Sequence, residues 1–389
     1  MKDGNSILGE YGVTVFELMS RLAIEHGSIN LGQGFPDDNG PEDVRRVAAE
    51  ALEDRPNQYP PMLGVPELRQ ALAAHADRFY GLQVDWATET MVTSGATESL
   101  AACFLALIEP GDEVVCFEPL YDCYLPMIRR AGGIPKLVRL SPPDWELPED
   151  RLRAAFSSRT KFILLNDPLN PAGKAFSRDE LDLIASLVLE HDAYAVCDEV
   201  YEHIVFDGLP HTPLITLPGM RDRAIKIGSA GKTFSLTGWK VGYATAEASL
   251  LQRIAKAHQF LTFTTPPNLQ RAVAFGLEKE ASYFAGLAAV MQAKRDRIAG
   301  GLESAGFEPA TCQGTYFLNA DIRGLGFHDG DIAFCEKITK EAGVTAVPVS
   351  AFYASADAPS NFVRFCFSKQ DELLDAATDK LKGYFGEAA

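Results

Sequence analysis

The chain has 389 residues, 47% hydrophobic and 23% charged, which suits a globular protein with room for one large and one smaller domain. A formal net charge of −17 argues against nucleic acid and anionic membranes as partners, because both reward basic surface. Any anion bound here therefore needs a local pocket that overcomes a repulsive global field.

Met1-Lys2-Asp3-Gly4-Asn5 has no apolar run behind it, and no segment reaches the roughly 18 apolar residues of a membrane span. The seven cysteines form no CxxC pair, and some lie inside apolar runs such as Val114-Val115-Cys116. They read as buried free thiols in a reducing compartment, so the expected localisation is cytoplasmic. In chain order, residues 1–45 are expected to form an N-terminal arm and part of a small domain. Residues 46–279 are expected to form the large domain, and residues 280–389 the rest of the small one. From about Met91 to Thr245, nearly all-apolar runs alternate with helical patterns. The runs are Glu113–Phe117, Lys161–Leu165, Ala193–Cys197, Ala224–Ile227 and Val241–Thr245; the helices include Glu98–Leu107 and Arg178–Glu190. Apolar strands without alternation are buried on both faces, which predicts an α/β fold with a mostly parallel sheet flanked by helices. Beyond it come a long helix from about Glu280 to Ser304, strands near Thr315–Asn319 and Asn361–Phe367, and a closing helix from Lys369 to about Tyr384.

In an open parallel sheet, ligands bind beyond the carboxyl ends of the strands. Five such ends here carry polar or small residues: Ser94-Gly95-Ala96-Thr97-Glu98, Glu118-Pro119-Leu120-Tyr121, Asn166-Asp167-Pro168-Leu169-Asn170-Pro171, Asp198-Glu199-Val200-Tyr201 and Gly228-Ser229-Ala230-Gly231-Lys232-Thr233. Ser94-Gly95-Ala96 opens a helix, whose free N–H groups and dipole suit a phosphate; an ordinary N-cap turn reads the same way. Gly231-Lys232-Thr233 invites comparison with the P-loop GxxxxGK[ST], but the first glycine would fall at position 226, which is a lysine, so that reading fails. What remains is a lysine just past a buried strand; desolvation there would lower its pKa and make it a nucleophilic amine, against the alternative of an exposed loop lysine. Asp198 closes the apolar run Ala193–Cys197 and needs a cationic or hydrogen-bonding partner. A protonated pyridine nitrogen would serve. The rival is a metal held by Asp198, Glu202 and His203, but the histidines show no convincing zinc spacing, and no metal is expected.

The ordered motifs Asn30-Leu31-Gly32-Gln33-Gly34-Phe35-Pro36-Asp37, Asn57-Gln58-Tyr59, Asp198-Glu199-Val200-Tyr201-Glu202, Gly228–Ser235, Thr237-Gly238-Trp239-Lys240-Val241-Gly242 and Phe362–Phe367 resemble those of the fold-type I, class I/II aminotransferases that use pyridoxal 5′-phosphate. The likeness spans nearly the whole chain. It is closest to the subgroup of kynurenine/glutamine, methionine and succinyldiaminopimelate aminotransferases.

That resemblance implies roles. Lys232 would carry the cofactor as a Schiff base and shuttle the proton, and Asp198 would pair with the pyridinium nitrogen. Tyr201 and Asn170 would hydrogen-bond the phenolic oxygen, and Tyr121 would stack on the ring. Gly95, Ala96, Ser229 and Lys240 would hold the phosphate. Tyr59 would reach the phosphate of a neighbouring subunit, which implies a homodimer. Arg364 would clamp the substrate α-carboxylate, with Gly34, Asn170 and Phe16 lining that pocket. Lys240 stands where many relatives have arginine, which keeps the charge and loses the fork. Leu169, Asp167, Thr97 and Phe16 also depart from the subgroup and are expected to bear on substrate choice.

The expected activity is ping-pong transfer of an α-amino group from an L-amino acid to a 2-oxo acid. Bulky neutral, sulfur or aromatic donors are favoured, because Phe16, Phe35, Tyr121, Tyr124 and Phe263 are aromatic and no arginine besides Arg364 is evident for a distal carboxylate. Alternatives are a succinyldiaminopimelate or aspartate aminotransferase, and a cysteine-conjugate β-lyase using the same site. A transcription regulator built on this fold is disfavoured, because the likeness begins by about residue 13 and leaves no room for a DNA-binding domain.

Overall fold

The computed structural model describes residues 4–386. Its strands are β1 (Ile29–Asn30), β2 (Thr90–Ser94), β3 (Glu113–Glu118), β4 (Ile134–Arg139), β5 (Thr160–Asn166), β6 (Tyr194–Asp198), β7 (Ala224–Ser229), β8 (Val241–Thr245), β9 (Glu308–Pro309), β10 (Phe317–Asp321), β11 (Val344–Thr345), β12 (Val347–Pro348) and β13 (Phe362–Cys366). Seven of them form one sheet in the order β2-β8-β7-β6-β5-β3-β4. All neighbours are parallel except that β8 runs antiparallel to both β2 and β7. The sheet is thus α/β and mostly parallel, as the apolar runs predict.

Side-chain alternation explains those runs. On β5, Phe162 and Leu164 join the core on one face with Val114, Cys116 and Val196. Ile163 and Leu165 join the opposite core with Val115, Phe117, Ala195 and Cys197. Successive side chains leave a strand in opposite directions, so a sheet covered on both faces needs apolar residues at every position.

A second sheet, β12-β13-β10-β9, is antiparallel and packs with the long helix Ala281–Ser304 and the closing helix Asp371–Gly386. The chain's beginning joins this part: β1 pairs with β11, Ile29 opposite Val344 and Asn30 opposite Thr345. The segment that follows, Leu31 to Phe35, is thereby carried over the carboxyl ends of the large sheet. Leu31 accepts from Cys366 at 2.7 Å through its carbonyl. All seven cysteines are free thiols, and among the described residues no helix is long and apolar enough to cross a membrane.

Candidate active site

A cavity of about 500 Å³ opens at the carboxyl ends of the parallel strands, where the two sheets meet. Twelve of the expected site residues line it: Phe16, Gly34, Gly95, Ala96, Tyr121, Asn170, Asp198, Tyr201, Ser229, Lys232, Lys240 and Arg364. Lys240 reaches the same edge for a topological reason. It precedes β8, and because β8 is antiparallel its amino end lies beside the carboxyl ends of its neighbours. Tyr59 is elsewhere. It is 84% exposed, on a surface groove with Pro56 and Pro60, edge-on to Phe263 at 5.7 Å.

Lys232 stands on the single turn Ala230–Thr233 that follows β7, capped by Ser229, whose Oγ accepts from the Gly231 amide at 3.2 Å. Its Nζ donates to Tyr316 Oη at 2.8 Å, and Tyr316 Oη donates in turn to the Gly34 carbonyl at 2.8 Å. The ammonium also lies 5.5 Å from the Tyr201 ring and 5.3 Å from the Tyr316 ring. One tyrosine, just before β10 of the second sheet, therefore ties the lysine of the large sheet to the N-terminal segment.

Asp198 is the last residue of β6 and is buried. Burial pushes its carboxyl pKa above the ordinary range, opposed by the hydrogen bond from Tyr124. Tyr124 Oη donates to Oδ2 at 2.6 Å, while the buried Oδ1 has no partner among the described residues. Asn166, directly opposite on β5, donates from Nδ2 to the Asp198 carbonyl at 2.8 Å and accepts the Asn170 amide at 2.8 Å. Asn166 thus fixes both the acid and the turn bearing Asn170.

At the end of β2, Gly95 has φ +78°, a conformation that side chains disfavour. A Cβ there would come 3.0 Å from Lys240 Nζ, and a Cβ on Gly242 would come 2.3 Å from the Gly95 carbonyl carbon. The two glycines let the β2 turn and the start of β8 touch through their backbones. The helix Ala96–Leu107 starts at this turn, so its first amides and Lys240 share one corner of the cavity.

Arg364 lies on β13, opposite Asn319 of β10, and is 1% exposed. Nη1 donates to Asn170 Oδ1 at 3.0 Å and Nη2 to the Gly32 carbonyl at 3.2 Å, while the buried Nε has no partner among the described residues. Its Cζ lies 3.9 Å from the Phe317 ring, 4.7 Å from Phe352 and 5.3 Å from Phe16. Burial lowers its pKa to about 10. A buried guanidinium held by neutral acceptors and aromatic faces is built to receive an anion.

Several expectations need correction. Leu169 does not touch the cavity. The turn closed by Leu169 N to the Lys174 carbonyl (2.8 Å) and Gly173 N to the Leu169 carbonyl (2.8 Å) sends Asn170 toward the cavity and Leu169, 1% exposed, into the core beside Phe117 and Phe176. Phe263 packs with Tyr59 instead of lining the cavity. Tyr124 lines it, but its hydroxyl belongs to Asp198. Asp167 lies behind the site, accepting the Phe176 amide at 3.0 Å, with His211 Nδ1 at 3.7 Å. The rival metal set is split as well. Asp198 faces the cavity, whereas Glu202 and His203 join His75 in a separate buried cluster whose ligand atoms lie within 4.8 Å of one another. There Glu202 is taken by Lys226 at 2.7 Å and Tyr80 at 2.5 Å, and His75 and His203 bond each other at 2.8 Å. Burial drops the two imidazoles to about 4 and about 3.

Tyr316, Asn166 and the Tyr124 bond were not anticipated. Tyr316 precedes β10, outside the large sheet whose strand ends carry the other polar groups, and Asn166 stands in the motif Asn166–Pro171, where sequence alone gives it no role.

The profile of the aminotransferase class I and II family matches residues 27–381. The chain belongs to that family. It is 42% identical over 386 residues to a probable N-succinyldiaminopimelate aminotransferase of Mycobacterium tuberculosis, covering 97% of each chain. It is 40% identical to the methionine aminotransferase of Escherichia coli, again over 97% of each, and 38% identical to human kynurenine–oxoglutarate transaminase 1 over 93% of each. The solved N-succinyldiaminopimelate aminotransferase from M. tuberculosis superposes with a TM-score of 0.95, covering 98% of this chain and 100% of that one. The E. coli structure identified with a methionine aminotransferase function also gives 0.95, at 39% identity and the same coverage. This aminotransferase is therefore a fold-type I, pyridoxal 5′-phosphate-dependent transaminase.

Proposed function

We propose that this aminotransferase is a homodimer that transfers the α-amino group of a bulky neutral, sulfur or aromatic L-amino acid to a 2-oxo acid by a ping-pong cycle. We assign Lys232 as the cofactor-bearing lysine, and divide the chain at residues 46 and 280. The observation that carries this reading is a pair of unmet valences on one cavity, the open Oδ1 of Asp198 and the open Nε of Arg364, with the Lys232 amine lining the same cavity. The cofactor's chemical features match what the cavity offers. Asp198 Oδ1 can accept from a protonated ring nitrogen. The Gly95-Ala96 corner with Ser229 and Lys240 offers amides, a hydroxyl and a cation to a phosphate. Tyr201 and Asn170 offer donors beside a phenolic oxygen, and Tyr121 offers a ring face. Tyr59, exposed and distant from this cavity, is available to a neighbouring subunit.

Pyridoxal 5′-phosphate, when bound, supplies the electron sink that lets an amino acid lose its α-proton and exchange its nitrogen. Arg364 receives the substrate α-carboxylate and sets its orientation, with Asn170 bridging to it. Lys232 Nζ would hold the cofactor and, as a free amine, would take the substrate α-proton and return it, positioned by its hydrogen bond to Tyr316 Oη. Asp198, its carboxylate held by Tyr124 and its carbonyl by Asn166, would pair with the ring nitrogen and favour its protonated form.

The 42% identity to the succinyldiaminopimelate enzyme supports a second reading with that substrate, and the 40% identity to the methionine enzyme supports the first. The test is kcat/KM for methionine, phenylalanine, glutamine, aspartate and succinyldiaminopimelate on one preparation. A neutral donor should win; a tenfold advantage for aspartate or succinyldiaminopimelate would replace the first reading by the second.

A further inference from the structure

The helix Val15–His26 enters the cavity wall, and its register matters. Thr14 caps the helix by accepting the Glu17 amide at 3.2 Å. Phe16 then packs edge-on to Phe352 at 5.4 Å and lies 5.3 Å from the Arg364 guanidinium. The next residue is Glu17, which lines the cavity together with Ser20, one turn on along the same face. Its apolar neighbour Leu18 points to solvent, 44% exposed. Glu17 is itself exposed, so it meets the cavity from the solvent side, and the helix gives an acid, and not the adjacent leucine, to that edge.

The rest of that wall has the same polarity. Gln33 lines the cavity and donates its Nε2 to Ser20 Oγ at 3.1 Å, which leaves its Oε1 as an acceptor. The cations lining the cavity are Lys232, Lys240 and Arg364. Lys232 sits on Tyr316, Lys240 on the Gly95 corner, and Arg364 on Asn170 and Gly32. None of the three stands on the Glu17–Ser20–Gln33 wall.

We propose that Glu17 is a specificity-determining residue that, with Gln33, selects donors whose side chain ends in a hydrogen-bond donor and rejects a distal carboxylate. The accepted group is a primary amide, an aryl amine or an ammonium. A substrate anchored at Arg364 by its α-carboxylate brings its distal end to this wall. A second carboxylate there meets a like charge with none of the cavity-lining cations on that wall, whereas an amide N–H meets acceptors. This rests on the aminotransferase reading above and deepens it. It places glutamine-like, kynurenine-like or basic donors ahead of glutamate, and 2-oxo acids with neutral side chains ahead of 2-oxoglutarate.

Glutamine and glutamate are isosteric, so their ratio isolates the distal charge. We expect half-reaction kcat/KM to favour glutamine over glutamate by tenfold or more in the wild type. Glu17→Gln should cut that ratio at least fivefold, and Glu17→Arg should invert it. The ratio is taken within each preparation, so a partly unfolded variant does not distort it. Calorimetric binding to the holoenzyme gives a readout without turnover: glutaric acid monoamide should bind at least tenfold tighter than glutarate, and Glu17→Gln should narrow the gap. Wild-type preference for glutamate, or a ratio unchanged by both substitutions, overturns the role of Glu17 while leaving the aminotransferase reading intact. A wild type that converts methionine, glutamine and glutamate not at all overturns both.

Discussion

Tyr124 Oη donates to Asp198 Oδ2 at 2.6 Å and leaves Oδ1, buried, without a hydrogen-bond partner among the described residues. The bond opposes the rise in the Asp198 pKa caused by burial, so it favours the ionised form that a pyridinium partner needs. Tyr124→Phe should lower kcat by about ten- to hundredfold, the loss expected for a hydrogen bond to a charged group of roughly 1.5–3 kcal/mol. Asp198→Asn should cost more while retaining bound cofactor. Steady-state kinetics on both variants check the order; equal or reversed losses would remove Tyr124 from the role.

Lys232→Ala should reduce turnover by several orders of magnitude and leave the fold intact, because it removes the amine that both anchors and transfers the proton. Borohydride reduction and peptide mapping identify the attachment point directly. A pyridoxyl label on Lys226 is not expected, since Lys226 is buried against Glu202 at 2.7 Å; a label there or on Lys240 would overturn the assignment.

Tyr316→Phe should keep the ring packed beside Tyr201 and Phe317 but release Lys232 Nζ and the Gly34 carbonyl. The expected result is a tenfold or smaller loss in kcat with a shifted pH–rate profile. An unchanged profile would reduce Tyr316 to a packing residue.

The cluster behind the site makes a stability prediction. Glu202→Gln takes the nearer of two carboxylates from the buried Lys226 ammonium and leaves only Glu199, at 3.7 Å, so the cost should reach at most roughly 3–5 kcal/mol. Adding Lys226→Met should recover part of that loss. Thermal unfolding of the single and double variants measures both, and an additive further loss would contradict the pairing.

Burial lifts Asp167 to about 6, with His211 and the Phe176 amide opposing. An acid whose folded pKa lies above its unfolded value of roughly 3.9 contributes stability that is fully present below the unfolded pKa and lost as pH rises through the folded one. Asp167→Asn should therefore flatten the dependence of Tm on pH between 4 and 7 relative to the wild type. A steeper dependence in the variant would mean that the ionised acid is net stabilising.

The large sheet was legible because burial on both faces removes alternation from its strands, and because polar residues gather where those strands stop. That rule located Gly95, Asp198, Ser229 and Lys232 together. It did not reach Tyr316, which arrives from the stretch before β10, nor the bond from Tyr124, whose partner lies 74 residues along the chain. Leu169 was misplaced because sequence adjacency to Asn170 says nothing about which side of a tight turn a side chain takes. Glu17 was passed over because an acid in the first turn of a helix is ordinary dipole compensation until its face is known. Tyr59 came from family likeness alone, since its place concerns a second chain.

The central claim, that this chain carries an amino group from donor to acceptor through a cofactor on Lys232, is tested most directly by single half-reactions of the holoenzyme. With excess L-methionine and no 2-oxo acid, the absorbance of the lysine-bound cofactor should be lost in one turnover, with one equivalent of the corresponding 2-oxo acid formed. Adding a neutral 2-oxo acid after methionine is removed should restore it. Continuous release of pyruvate from a cysteine conjugate without any 2-oxo acid, together with no loss of absorbance on methionine, would contradict the account and make the protein a β-lyase.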